Sequence, residues 1–176
     1  VIVQGDHTIL LETMAPRYSD ARDALLAFAE LVKSPEYIHT WRLTDLSLWN
    51  AAAAGHTGDE IIGVLERFAK YPIPENIPPS IRGKMARYGA LRLVRDGEWL
   101  RLEADEATDL DEISHLKPVV DMLGPREGSS IRIHPRQRGE LKQVLVSCGH
   151  PVQDLVGYDD GDSLRMELRH DLLDGT

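Results

Sequence analysis

Between Leu91 and Glu103, leucines alternate with charged residues on either side of an Asp96-Gly97 pair. A pair of that kind between alternating runs is the strongest short-range signal for a β-hairpin. A two-residue turn at Asp96-Gly97 sets Arg95 opposite Glu98, Val94 opposite Trp99, Leu93 opposite Leu100, Arg92 opposite Arg101 and Leu91 opposite Leu102. Because the side-chain period of a strand is two, one face is then leucine and belongs to a core. The other face presents Trp99 beside Arg92 and Arg101.

The residues before the hairpin read as three short helices. Thr44-Asp45 opens the first, with Leu46, Leu48 and Trp49 leading an alanine run of high helix propensity, and Gly55 stops it. Thr57-Gly58-Asp59-Glu60 has capping-box spacing, and Ile61, Ile62, Leu65 and Phe68 follow as an apolar face. Pro79 suits a first helical position, so a third helix carries Ile81, Met85 and Tyr88 on one stripe and ends at Gly89. Arg82, Lys84 and Arg87 fall outside that stripe, with Gly83 and Ala86 between them. Three helices and a hairpin over 46–103 are the parts of a winged helix-turn-helix, in order.

Smaller mixed elements flank this core. Val1–Gln4 and Thr8–Glu12 are strand-like runs around a Gly5-Asp6-His7 turn. Ala21, Leu25, Phe28 and Val32 recur at helical spacing behind Ser19 or Asp20, Pro35 ends that helix, and Tyr37–Leu43 is again strand-like. Downstream, Thr108 opens an acidic helix that Pro118 kinks or splits and Gly124-Pro125 ends. Ile131–His134 reads as a strand and Arg136–Cys148 as a helix with Leu141, Val144 and Leu145 inward. A turn at Asp159–Asp162 and a strand at Leu164–Leu168 close the chain. The expected fold is α+β, a winged-helix-like core with small α/β elements at both ends. Its pieces are 1–43, 44–104 and 105–176, and the first and last are free to join in one layer.

Charge is segregated along the sequence. The net charge is −9, a prior against a surface that coats nucleic acid uniformly. Yet Ser80–Arg101 holds six basic residues against two acidic ones. Leu102–Gly128 holds eight acidic against two basic, and Ile131–Gln143 four basic against one acidic. A local binding face needs that kind of segregation. Arg82, Lys84, Arg87, Arg92, Trp99 and Arg101 are the candidate DNA-binding residues. On charge pattern alone, a solvated face accounts for the three helix cations equally well, and packing accounts equally well for Trp99.

No catalytic constellation is legible. Gly83-Lys84 is followed by Met85 and lacks the upstream glycine of a phosphate-binding loop. Asp111-Glu112-Ile113-Ser114-His115 is superficially like a helicase Mg²⁺/ATP box, but no apolar strand precedes it and its His comes one position late. The seven histidines lack zinc-ligand spacing, and the Asp159–Asp162 run lacks the alternation and distal Glu of a calcium loop. Cys148, the single cysteine, excludes an internal disulfide, fits a reducing compartment and reads as a small core residue. No apolar run is long enough to cross a bilayer. The chain begins at Val1 inside a strand pattern, as a piece trimmed from a longer polypeptide would.

Nearly the whole sequence resembles the N-terminal, non-motor region of bacterial XPB-type DNA repair helicases. The most specific matches are Leu46-Ser47-Leu48-Trp49-Asn50 with the alanine run to Gly55, and Met85-Ala86-Arg87-Tyr88-Gly89-Ala90-Leu91-Arg92-Leu93-Val94. Ile2-Val3-Gln4, Lys33-Ser34-Pro35-Glu36, His134-Pro135, Leu141-Lys142-Gln143 and Asp154-Leu155-Val156-Gly157-Tyr158 extend the likeness to both ends. The family's hairpin is often longer than the one around Asp96-Gly97, and Gly124–Ser130 and Arg169–Thr176 match poorly.

The resemblance implies an accessory, DNA-engaging and regulatory piece of an ATP-dependent superfamily 2 helicase with 3′-to-5′ polarity. This piece would be cytoplasmic and nucleoid-associated, with no catalytic residue, metal or cofactor of its own. ATP and Mg²⁺ would belong to motor domains beyond Thr176. Expected partners are DNA, those motor domains and a partner nuclease, with no membrane. The acidic total charge favours a rival, a protein-interaction or autoinhibitory module docking on the motor or the nuclease. A free-standing winged-helix regulator is the third reading.

Overall fold

The computed structural model describes residues 1–157. The turn and strand expected at Asp159–Asp162 and Leu164–Leu168 lie outside the described residues. The elements run β1 (Ile2–Val3), β2 (Thr8–Glu12), α1 (Tyr18–Leu25), β3 (Glu30–Lys33), β4 (Ile38–Arg42), α2 (Asp45–Ala53), α3 (Gly58–Phe68) and α4 (Ile77–Ala86). They continue with β5 (Leu91–Asp96), β6 (Trp99–Ala104), α5 (Ala107–Ser114), β7 (Leu123–Glu127), β8 (Ser130–Ile133), α6 (Arg138–Ser147) and β9 (Val152–Asp154). The class is mixed α+β, as expected.

Two sheets each organise their own core. The first has the order β1-β2-β4-β3 and the second β7-β8-β6-β5-β9. Ile9, Leu11, Trp41, Leu48, Ile61, Leu65, Ile77 and Ile81 are all but sealed from water in one cluster that spans Val3 to Met85. Leu91, Leu93, Leu100, Leu102, Leu110, Ile113, Ile131, Ile133, Leu141 and Leu145 form the other. The segments 1–43 and 44–86 therefore feed one core. Strands β1 to β4 and β7 to β9 belong to different sheets.

The helix signals read from sequence are realised in side-chain geometry. Thr57 Oγ1 accepts from the Glu60 N–H at 3.2 Å while Glu60 Oε2 accepts from the Thr57 N–H at 2.8 Å. Thr44 and Ser47 make the same reciprocal cap on α2. After Ala54 the chain turns through Gly55 at φ +94, and the Gly55 and His56 N–H groups close on Ala52 O and Ala51 O. That paired closure needs a left-handed residue, which glycine supplies without a Cβ penalty. Helix α4 begins at Ile77, two residues before the expected start at Pro79, and Pro78 and Pro79 both fit in its first turn, where the N–H that proline lacks has no intrahelical partner anyway. Trp49 Nε1 donates to Lys84 O at 3.0 Å and ties α2 to α4.

Four expectations are corrected. Helix α1 stops at Leu25, and Val32 lies in β3, about half exposed, rather than on a helix face. Pro35 disfavours the helical region for Ser34, and the residues just upstream extend to pair with β4. Gly124-Pro125 does not end a helix but sits in edge strand β7, where the register shifts between Leu123 and Arg126. A bulge on an edge is where a strand tolerates proline. At Gly124 an added Cβ would meet Arg132 O at 2.6 Å, so the close approach of β7 to β8 requires glycine.

The hairpin forms, but its turn is Gly97-Glu98, with Asp96 opposite Trp99, Leu93 opposite Leu102 and Arg92 opposite Glu103. Gly97 has φ +62, while His7 is the only non-glycine at positive φ among the described residues. Glycine at the first turn position with an ordinary second residue is the type II′ pattern; a type I′ turn on Asp96-Gly97 would force Asp96 into the left-handed region as well. The slip preserves face parity, so the four leucines still share the buried side.

Finally, the winged-helix core is not confirmed. Helices α2, α3 and α4 bury their apolar residues in the first cluster, whereas the hairpin is the centre of the second sheet and packs with α5 and α6.

Candidate nucleic-acid interface

The six candidate residues divide between the two cores. Arg82 and Lys84 lie on α4 and Arg87 caps its C-terminus, whereas Arg92, Trp99 and Arg101 lie on the outer face of β5 and β6. A helix face and a strand face thus carry the basic stretch, as its spacing indicated.

Four of the five cations hold a carboxylate. Arg82 Nε donates to Asp59 Oδ1 at 2.8 Å, across from α4 to the start of α3. Lys84 pairs with Asp45 at the start of α2. Arg92 Nη1 donates to Asp105 Oδ1 at 2.7 Å and to Gly89 O at 3.1 Å. Arg101 Nε donates to Glu103 Oε1 at 2.9 Å, and its Nη1 lies 3.6 Å from Asp96 Oδ2. Arg87 is the least engaged, with one donation to Gly149 O at 3.4 Å. The register slip matters here too. It exchanges an expected Arg92–Arg101 cross-strand pair for Arg92 opposite Glu103, which removes a like-charge contact.

Trp99 is 42% exposed. Its ring meets His134 edge-on at 5.3 Å, and the Arg132 guanidinium lies 5.8 Å from its centre. Arg132 reaches Trp99 because β8 pairs with β6, setting Arg132 opposite Arg101. Sequence reasoning missed this pair, and the basic excess over 131–143 was the one signal that pointed to it. The outer face around the hairpin therefore offers an accessible indole, two arginines beside it and interleaved carboxylates.

These pairs are partly to well exposed, and pairs open to solvent contribute about 0–1 kcal/mol each. An incoming phosphate needs only to displace a solvated carboxylate, so the arrangement favours salt-sensitive, moderate anion binding over a preformed deep site. The cavity nearest Arg87, about 80 Å³ and walled by Asp109, Glu112 and His150, is too small and too acidic for a phosphate.

The most strongly held charge lies elsewhere. Asp154 on β9 accepts from Arg138 at 2.8 and 3.0 Å, from Lys142 at 2.7 Å and from the Val156 N–H at 3.1 Å. Burial opposes its ionisation, but the bonds from Arg138, Lys142 and Val156 outweigh burial and hold the carboxyl at about 2. This cluster fastens α6 to β9. No group of three metal-ligating side chains occurs among the described residues, and no described helix is long and apolar enough to cross a membrane.

Comparison with known proteins adds the following. A family profile described as "Helicase conserved C-terminal domain" matches residues 1–127. A "DNA 3'-5' helicase XPB" of Kineococcus radiotolerans is 42% identical over 173 residues, 97% of this chain and 31% of that protein. The protein of the same description from Mycobacterium tuberculosis is 39% identical, again over 97% of this chain and over 32% of its own length. The "General transcription and DNA repair factor IIH helicase/translocase subunit XPB/SSL2" of Saccharomyces cerevisiae is 30% identical over 90% of this chain and 18% of itself. The chain spans about a third of the bacterial relatives it matches.

Proposed function

The chain belongs to the family of helicase conserved C-terminal domains, and from that premise we propose that it is an N-terminal, non-motor region of an XPB-type 3′-to-5′ DNA helicase acting in DNA repair. Its work is to engage DNA and present it to a motor that lies outside these residues. It performs no chemical step itself, and ATP and Mg²⁺ serve the motor. It acts in the cytoplasm, on nucleoid DNA. The observation that carries this reading is the near-complete match to helicases of which the chain is only a third, by a sequence in which no phosphate-binding loop is legible.

The DNA-facing residues in this reading are Arg82, Lys84 and Arg87 on one side and Arg92, Trp99 and Arg101 on the other. Replacing Arg82, Lys84 and Arg87 together by Gln is expected to weaken binding of a forked duplex several-fold. Competition anisotropy measures it, and equal affinity for the parent and the triple variant removes α4 from the interface.

A second reading is favoured by a specific surface. Strand β3 is an edge strand exposed along its whole length, with Leu31 and Val32 about half exposed and Tyr37 and Ile38 open beside it. Unpaired edges with apolar side chains take up partner chains. On this reading the region docks on the motor or on a partner nuclease and restrains it. Deleting the region from the full-length helicase then changes ATPase activity or nuclease binding and leaves DNA affinity alone.

A further inference from the structure

Two arginines distant in sequence meet on one aromatic ring in the first core. The Arg17 guanidinium carbon lies 4.4 Å from the centre of the Phe68 ring and that of Arg67 lies 5.6 Å from it. Arg17 Nη1 also donates to Arg67 O at 3.4 Å. Both side chains are exposed, and among the described residues neither has a carboxylate within ion-pair distance. In this they differ from Arg82, Lys84, Arg92 and Arg101. Glu12 and Asp23 pair instead with Lys70 and Arg22. Helix α1 starts immediately after Arg17 with no side-chain cap, so its positive end adds to the two guanidiniums and is offset only by Asp20 in its first turn.

The same residues rim a cavity of about 250 Å³. Besides the arginines it is lined by Val1, Leu11, Ala15, Pro16, Ala21 and Phe68, and the Val1 ammonium donates to Phe68 O at 3.0 Å. Two like charges held together without a counter-ion, above an apolar recess, suit a ligand that has an anion and a flat apolar part joined to it. Guanidiniums beside a ring retain several N–H donors for phosphate oxygens, and among the described residues only Arg17 Nη1 is engaged here, by Arg67 O. The cavity is below the size range of drug-sized ligand sites, and it accommodates one nucleotide unit rather than a larger molecule.

We propose that Arg17, Arg67 and Phe68 form a binding site for one nucleotide of single-stranded nucleic acid, with its phosphate between the guanidiniums and its base or sugar in the recess. Duplex does not fit the recess, because its bases are stacked away from the surface. An acidic peptide supplies the anion without the flat group. The site lies in the first core, apart from the hairpin face around Trp99. It deepens the DNA-engaging reading above and rests on it only for the identity of the polymer.

The test uses the 176-residue chain, its Arg17→Ala/Arg67→Ala variant and its Phe68→Leu variant, each checked for an unchanged melting temperature. With a fluorescein-labelled oligothymidylate at low salt, the double alanine variant is expected to bind roughly tenfold more weakly. Its log–log salt slope should fall by about 0.7, the value for one single-strand phosphate. Phe68→Leu should weaken binding several-fold with the slope unchanged, since apolar contact in the recess is reduced and charge is not. Separately, thymidine 5′-monophosphate should shift the Arg17 and Arg67 Nε–H resonances of the parent chain.

Equal single-strand affinity in parent and double variant overturns the site. So does displacement of the oligonucleotide by polyglutamate at matched charge, which would make the partner an acidic protein. If forked DNA binds the parent while the monophosphate shifts neither arginine, this site falls and the DNA-engaging reading stands. If oligothymidylate binds through Arg17, Arg67 and Phe68 while forked duplex does not bind at all, the site stands and the fork-presenting reading falls.

Discussion

Asp59 is among the most exposed carboxylates in the ion-pair network, and it holds Arg82 at 2.8 Å. Any phosphate approaching α4 competes with it and with Asp45 on Lys84. Because such exposed pairs are worth at most about 1 kcal/mol, removing the competitor should help DNA. Asp59→Asn is expected to raise affinity for duplex about twofold and steepen its salt dependence, read by anisotropy across a salt series. An unchanged affinity would mean that Arg82 does not touch DNA. The sequence located the basic residues but not their counter-ions, since Asp59 and Asp45 lie 23 and 39 residues from the cations they hold. Chain separations of that size follow from how α2 and α3 pack on α4, and no local pattern encodes them.

Asp154 couples the stability of the fold to pH. Its carboxyl is held at about 2, below the usual 3.8. A group whose folded value is lowered stabilises the fold fully above its unfolded value and loses that contribution as pH falls through the folded one. Denaturant midpoints of the parent chain should therefore drop between about pH 4 and pH 2. Asp154→Asn should be less stable at neutral pH and show a shallower drop over that window. An identical pH profile for the two proteins would separate Asp154 from the acid response.

The individual elements show which signals travel through sequence and which do not. The Thr57/Glu60 cap and the Gly55 stop are encoded within a few residues, and both appear as expected. Strand β3 carries no alternation because neither face is buried, so its residues looked like the continuation of α1. Strand β7 was hidden by Gly124-Pro125, a pair that normally breaks structure and here makes a bulge. The hairpin's buried face was readable from its period of two, while its turn depended on which residue accepts a positive φ.

Gly124→Ala places a Cβ against Arg132 O at a distance real structures do not tolerate, and backbone cannot yield as a flexible side chain can. Overpacking of that kind costs about 1–3 kcal/mol. Urea denaturation should show a loss in that range, with faster amide exchange in β7 and β8. A variant as stable as the parent would mean that the edge strand relaxes freely.

The described residues form two sheets with two cores, joined through Tyr88, Gly89 and Ala90. Gly89 has φ +94 at this joint, within the stretch that most closely resembles XPB-type helicases. Basic residues lie on both sides of the joint, on α4 before it and on the hairpin after it. The sequence showed the helix trio and hairpin as one unit because they are contiguous. The strands that claim the hairpin, β8 and β9, lie about 30 and 50 residues beyond it, which places the division out of reach of local reading.

The central claim is that this region engages DNA without a motor of its own. A fluorescein-labelled forked duplex titrated with the 176-residue chain over a salt series tests it most directly. Contact with about four phosphates predicts binding at low salt that weakens with a log–log slope near −3.6. No binding to forked, duplex or single-stranded DNA at low salt would contradict it and leave the docking role on the β3 edge as the account of this chain.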